Sequence, residues 1–180
     1  MQWVYRTNDD SGASVNQACV TAMAEKYGIP KGNRSEGWRC MFGAAVAPYV
    51  KTPTFILNSK YDLWQAAQII GAADKQYNCG SNISFCPAPL QKFWVDYGNK
   101  MLALLDALPS RHGAYVHNCQ HCQTGTGSPW ATDTVNGTTM HAAAATWYTA
   151  AIQGTQGSIP RSVDRCDVLP CGADICDGRK

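Results

Sequence analysis

The sequence predicts an α/β fold: a parallel sheet flanked by helices, read from elements in the order helix, strand, helix, strand, helix. Two observations carry it. Short apolar runs without alternation, of the kind found in strands covered on both faces, lie at 53–58 and 113–119. Around them lie segments with apolar residues at helical spacing, strongest over 90–108.

Taken in order, Val15 to Tyr27 reads as a helix, with Ser11 and Ser14 as candidate N-caps, Cys19 on it, and Gly28 and Pro30 closing it. A glycine-containing loop runs on to Cys40. Pro53 to Asn58 is the first strand, ending in a polar turn at Asn58 and Ser59. A long helix opens at Pro87 or Pro89 and stops at Pro109, with Leu90, Trp94, Tyr97, Met101, Leu104, Leu105 and Leu108 on its core face. Gly113 to Cys119 is the second strand, and Thr138 to Ile152 is an alanine-rich helix carrying Trp147 and Tyr148. From Gly154 onward Gly, Pro and Cys dominate, which predicts an irregular tail held by disulfides. The organisation expected is one domain over 1–180, with an α/β part over 1–153 and a cysteine-rich tail over 154–180.

A chain of 180 residues can bury about 70 % of the surface it exposes when unfolded, enough for one core. Fifteen basic and 13 acidic residues are scattered to a net charge of +2, so no patch resembles a nucleic-acid footprint. No apolar run approaches the roughly 20 residues of a membrane span. Nine cysteines point to an oxidising compartment. Their clustering suits short disulfide loops, Cys79 with Cys86 and a tail carrying Cys166, Cys171 and Cys176. Sequons at Asn33, Asn82 and Asn136 agree mildly with a secretory route, since composition alone gives about one. A secreted chain should open on a basic and then an apolar segment, yet Met1 is followed by Gln2, Trp3, Val4, Tyr5 and Arg6. The expectation is that the native N-terminus lies upstream, which also accounts for an odd number of cysteines.

In open parallel sheets functional side chains gather at the carboxyl ends of the strands. The first strand runs into Asn58-Ser59-Lys60-Tyr61-Asp62-Leu63-Trp64-Gln65, and the second into His117-Asn118-Cys119-Gln120-His121-Cys122-Gln123. An Asp after one strand and a His after the next follow the chain order Ser, Asp, His of α/β-hydrolase triads. Against that stands the plainer reading, in which such an Asp caps a helix or turn and such a His is a loop residue.

The string Thr52-Pro53-Thr54-Phe55-Ile56-Leu57-Asn58-Ser59-Lys60-Tyr61-Asp62-Leu63-Trp64-Gln65 resembles the T-P-x-F-x-x-N-x-x-Y-D-x-W-Q segment of plant-type pectin acetylesterases. Cys40-Met41-Phe42-Gly43, the Cys79 to Cys86 loop before a long helix, His121-Cys122-Gln123 and the closing Cys166, Cys171 and Cys176 are similar to that family's landmarks, in one order. Trp38-Arg39-Cys40-Met41-Phe42-Gly43 also resembles the W-N-C-F-F-G of Notum, an extracellular lipid deacylase of the same superfamily.

The resemblance implies the C-terminal portion of an α/β-hydrolase-like fold and a secreted carboxylesterase acting on an acetylated polysaccharide. It needs no cofactor or metal. It also implies that Asp62 is the acid and His121 the general base of a Ser-His-Asp triad. One departure is that a single residue, Gln120, separates Cys119 from His121 where the plant pattern has two, so His117 keeps a minor claim.

The missing member is the nucleophile. No G-x-S-x-G elbow occurs: Ser11, Ser14, Ser128 and Ser158 lie near glycines outside that frame. In the family the elbow lies upstream, so the nucleophile is expected in an N-terminal half that acts as this segment's partner.

Trp64 and Trp130 are candidates to line a substrate pocket, with core or disulfide-cover roles as the alternative. His112 and His141 read as solvated. Cys119-Gln120-His121-Cys122 has the spacing of a redox motif or half a zinc site, a reading that the disulfide-rich context disfavours. The resemblance pairs Cys79 with Cys86 and Cys19 with Cys40, whose loops are also short enough to close. At least one tail cysteine must reach back to Cys119, Cys122 or the missing part. The competing functions are a Notum-like lipid deacylase, an enzymatically silent extracellular binding module and a small zinc module.

Overall fold

Helix α1 (Gln17–Lys26) opens at Asn16, whose side-chain oxygen accepts the Cys19 N–H at 3.0 Å, and closes into Gly28 at φ +63°. The cap is therefore Asn16, while the expected Ser11 and Ser14 lie outside the described residues. The computed structural model describes residues 15–30, 33, 35–62, 64–70, 86–117, 129–155, 159 and 161–165. The chain divides into two units, Met1–Thr52 with Ala107–Pro109, and Pro53–Asp106 with Ser110–Lys180.

Within unit one, what reads as a loop up to Cys40 contains a 3-10 turn, Gly37–Met41, followed by the short helix α2 (Gly43–Val46). The Cys19–Cys40 disulfide ties the turn to α1. Cys19, Val20, Met23 and Cys40 are buried together, with Val15, Ala45, Val46 and Tyr49 packed against them.

Unit two is built on strands β1 (Phe55–Ser59) and β2 (Gly113–His117), parallel and in register from Phe55 opposite Gly113 to Ser59 opposite His117. Between them runs the long helix α3 (Ala88–Asp106). A hairpin of β3 (Thr134–Val135) and β4 (Thr138–Thr139) turns through Asn136 and Gly137, both at positive φ, as an Asn-Gly hairpin requires. It feeds helix α4 (Met140–Gln153), whose N-cap Thr139 accepts the Ala142 N–H at 3.2 Å. Strand β5 (Arg161–Val163) pairs parallel with β2, giving the order β1-β2-β5.

Three expectations change here. The tail after Gly154 contains β5, a strand too short and too polar to signal itself. It forms because β2 offers an open edge and because Arg161 donates to the carbonyls of His112 (3.2 Å) and Leu105 (2.9 Å) in the last turn of α3. Second, β1 is not covered on both faces: Leu57 is 36 % exposed, whereas every β2 residue is buried. Strand β2 has a hydrogen-bonded neighbour on each side; among the described residues β1 has one. Third, α3 is rotated from its hydrophobic stripe. It buries Trp94, Gly98, Leu102 and Leu105 and leaves Leu104 43 % exposed.

Gly98 causes that rotation. A Cβ there would lie 2.7 Å from Lys60 Cγ and 2.8 Å from Tyr61 Cε1, so α3 approaches the end of β1 at a glycine. On the other face α4 covers the sheet: Met140 and Ala143 pack on Tyr115, and Trp147 lies 5.4 Å from Phe55 across the hollow left by Gly113.

Candidate active site at the carboxyl end of the parallel sheet

The register of β1 against β2 brings both strands to an end at the same level, and the Lys60 N–H continues the ladder onto the His117 carbonyl at 2.7 Å. Segments leaving such paired ends emerge side by side, where parallel sheets carry their chemistry. Beyond Ser59 the chain passes beneath Gly98 of α3, which buries Lys60 and Tyr61 completely. Lys60 Nζ stands 5.3 Å over the Tyr61 ring. The chain then comes out at half-buried Asp62 and at Trp64, which is 49 % exposed.

One oxygen of Asp62 accepts the Gln65 backbone N–H at 2.8 Å, at the start of the π-helical segment Gln65–Ile70. The capping role of the plainer reading is thus present. A carboxylate offers about four acceptor positions, so this bond orients the group without saturating it. The Gln65 side chain in turn donates to Tyr97 Oη of α3 at 2.8 Å. Burial raises the Tyr97 pKa, the charge of Asp62 raises it further, and the Gln65 bond opposes both. Sequence reasoning placed Tyr97 in the apolar stripe. Its signal was a polar-tipped aromatic where Leu would serve as well.

His117 is held in β2 with its ring 3 % exposed and Nε2 3.7 Å from an Asp133 carboxylate oxygen. Neither ring nitrogen has a hydrogen-bond partner among the described residues. Burial lowers the His117 pKa, against the opposing pull of Asp133 and Asp164. Beside it the Tyr115 hydroxyl donates to the Asp133 carbonyl at 3.1 Å, and burial together with the Asp133 charge pushes its pKa up to about 12. Sequence reasoning passed over Asp133, for a lone Asp ahead of an Asn-Gly turn carries no signal.

His121 lies outside the described residues, as do Cys79, Cys119, Cys122, Cys166, Cys171 and Cys176. Cys86 is disulfide-bonded. Trp130 is half-buried against the Tyr115, Val135, Met140 and Ala143 cluster, 5.9 Å from the ring of His141. His141 is exposed, as its sequence reads, but His112 is only 2 % exposed, contrary to expectation. The polar turn holding it lies under Arg161, which takes its carbonyl. No helix among the described residues is long and apolar enough to cross a membrane.

The chain has relatives of known family. It is 30 % identical over 140 residues to pectin acetylesterase 7 of Arabidopsis thaliana, covering 69 % of this chain and 36 % of that protein. It is 29 % identical over 120 residues to pectin acetylesterase 11 of the same plant, covering 61 % and 31 %. With pectin acetylesterase 4 it shares 28 % identity over 147 residues, covering 75 % and 32 %. The chain thus spans about a third of the length of these curated relatives. No solved structure matches it. The pectinacetylesterase family model matches residues 5–173, nearly the whole chain, and with a parallel sheet that delivers Asp62 to its carboxyl edge, this chain belongs to the pectinacetylesterase family.

Proposed function

We propose that this chain is part of a secreted carboxylesterase that removes acetyl groups from a polysaccharide such as pectin, with Asp62 as the acid and His121 as the general base of a serine triad. The family match across 5–173 carries the reading. The position of Asp62 three residues beyond the end of β1, held by the Gln65 N–H, supports it. His121 follows four residues beyond the end of β2. Burial of His117, whose ring is 3 % exposed inside a strand, favours His121 as the base. No G-x-S-x-G string occurs in these 180 residues, so the serine belongs to another part of the full protein.

The chemistry follows from those roles. The serine oxygen attacks the acetyl carbonyl while its proton passes to the neutral imidazole of His121. Asp62 fixes the tautomer and steadies the imidazolium. That proton then goes to the departing sugar oxygen as its bond to carbon breaks, leaving an acetyl-serine. Water, deprotonated by the same imidazole, releases acetate and restores the serine. Exposed Trp64, next but one to Asp62, supplies an aromatic face for the sugar. The exposed Asn33, and Asn136 at its hairpin tip, suit glycan attachment on the secretory route.

The test is hydrolysis of p-nitrophenyl acetate and acetylated pectin by the protein extended upstream. His121→Ala should lower kcat about 10⁶-fold and Asp62→Asn about 10⁴-fold, as in a serine hydrolase dissected residue by residue. Near-normal rates in His121→Ala with loss in His117→Ala would move the base to His117. An upstream sequence with no elbow serine would favour an extracellular binding module, the reading that the missing elbow supports.

A further inference from the structure

The hydrogen bond that holds Asp62 is itself held from α3. Asp62 Oδ1 accepts the Gln65 N–H at 2.8 Å, and Gln65 Nε2 donates to Tyr97 Oη at 2.8 Å, so three residues from two elements form one chain of contacts. Burial and then the Asp62 charge raise the Tyr97 pKa, so the carboxylate and the phenol sense one another across that chain. Gln65 opens the π-helical segment Gln65–Ile70, a helix form that occurs mostly as single turns, frequently at functional sites. The N–H groups of a helix's first turn find no partner within the helix, and that of Gln65 turns to Asp62.

Both ends of the chain of contacts are fixed by packing. The Tyr97 ring lies 6.4 Å from Phe93, stacked at 25°, and 5.8 Å from buried Trp94, edge-on at 79°. Next to it Gly98 lets α3 settle on Lys60 and Tyr61, both wholly buried, and Asp62 follows Tyr61 along the chain. The Gln65 side chain spans these two packed pieces. A triad carboxylate works by being aimed at the imidazole N–H, and a displacement of about 1 Å at such a group can cost about 100-fold in rate. A hydroxyl that stops the Gln65 side chain from turning keeps the Gln65 N–H on Asp62.

We propose that Tyr97 is a positioning residue of the esterase: through the Gln65 side chain it keeps the Gln65 N–H on Asp62 and so holds that carboxylate ready for His121. It acts through Gln65 and not on the reacting atoms. The role rests on the triad reading above, and two measurements separate the one from the other.

The first, on this chain, is amide hydrogen exchange. Tyr97→Phe removes one oxygen and keeps the ring against Phe93 and Trp94. It should quicken exchange of the Gln65 N–H about fivefold, as the loss of one hydrogen bond predicts. The Lys60 N–H, bound to the His117 carbonyl, should keep its parent rate. Unchanged exchange at Gln65, or equal quickening at Lys60, would overturn the proposal.

The second is hydrolysis of p-nitrophenyl acetate by the protein extended upstream. Tyr97→Phe and Gln65→Leu should each lower kcat about tenfold with KM within about twofold, and the double variant should be no worse than either single, because the two residues act as one unit. The acid limb of the kcat/KM profile should move to lower pH in both, since a loosened Asp62 steadies the imidazolium less. Loss of rate in Asp62→Asn, with parent rates and an unmoved limb in Tyr97→Phe, would refute the positioning role and leave the triad standing. Parent rates in Asp62→Asn would refute the triad acid itself, and the role with it.

Discussion

In unit one the buried cluster is Cys19, Val20, Met23 and Cys40, and two of those four residues form one disulfide. In unit two the buried residues run the length of β2, with Trp94, Leu102 and Leu105 buried on α3 and with Met140 and Ala143 of α4 packed on Tyr115. A small set of short helices buries too little apolar surface to hold itself, and a covalent tie supplies what packing does not. The larger unit closes by packing so tight that two positions, Gly98 and Gly113, leave no room for a methyl group. Unit one should therefore be sensitive to the loss of its cross-link, and unit two to the gain of a carbon.

The largest expected effect removes the tie. The double variant Cys19→Ser, Cys40→Ser reopens a loop of 21 residues' separation and should cost about 3 kcal/mol of unit-one stability. Hydrogen exchange should quicken across α1 while β2 amides keep their protection. Equal quickening in both would show that the two units do not depend on separate supports.

Next comes Gly113→Ala, whose new methyl would sit 2.7 Å from both Phe55 Cδ2 and Trp147 Cδ1. Overpacking of this kind costs about 1–3 kcal/mol. The loss should appear in β2 and α4 with α1 unchanged, and trimming the ring with Trp147→Leu should restore part of it. A Gly113→Ala protein that melts like the parent would mean that the sheet and α4 give way easily, and the contrast would fail.

The smallest effect is a pH dependence confined to unit two. Burial holds the native His117 below the unfolded value of 6.5 despite Asp133 and Asp164. Its contribution is whole above pH 6.5. As pH falls from 6.5 toward the native pKa, the unfolded chain takes up a proton that the native ring refuses, and stability falls. Urea unfolding across that window should show the slope in the parent and a shallower one in His117→Leu. Identical slopes would assign the effect to other groups.

Much of this was legible along the chain because it is local. Gly28 closes α1 and apolar spacing marks α3, both decided within a few residues, whereas the equally local Asn136-Gly137 hairpin was not read from the sequence. The string from Thr52 to Gln65 carries the resemblance to the family to which the chain belongs. Only the tertiary structure decided the rest. Strand β5 exists because β2 has a free edge and Arg161 finds the carbonyls of His112 and Leu105. Tyr97 comes to the Gln65 side chain, and α3 turns Leu104 outward, because Gly98 lets the helix settle on Lys60 and Tyr61. Periodicity reports that a helix has an apolar face; how that face is rotated depends on the shape it meets, and that shape is made by residues about 40 positions away in the sequence.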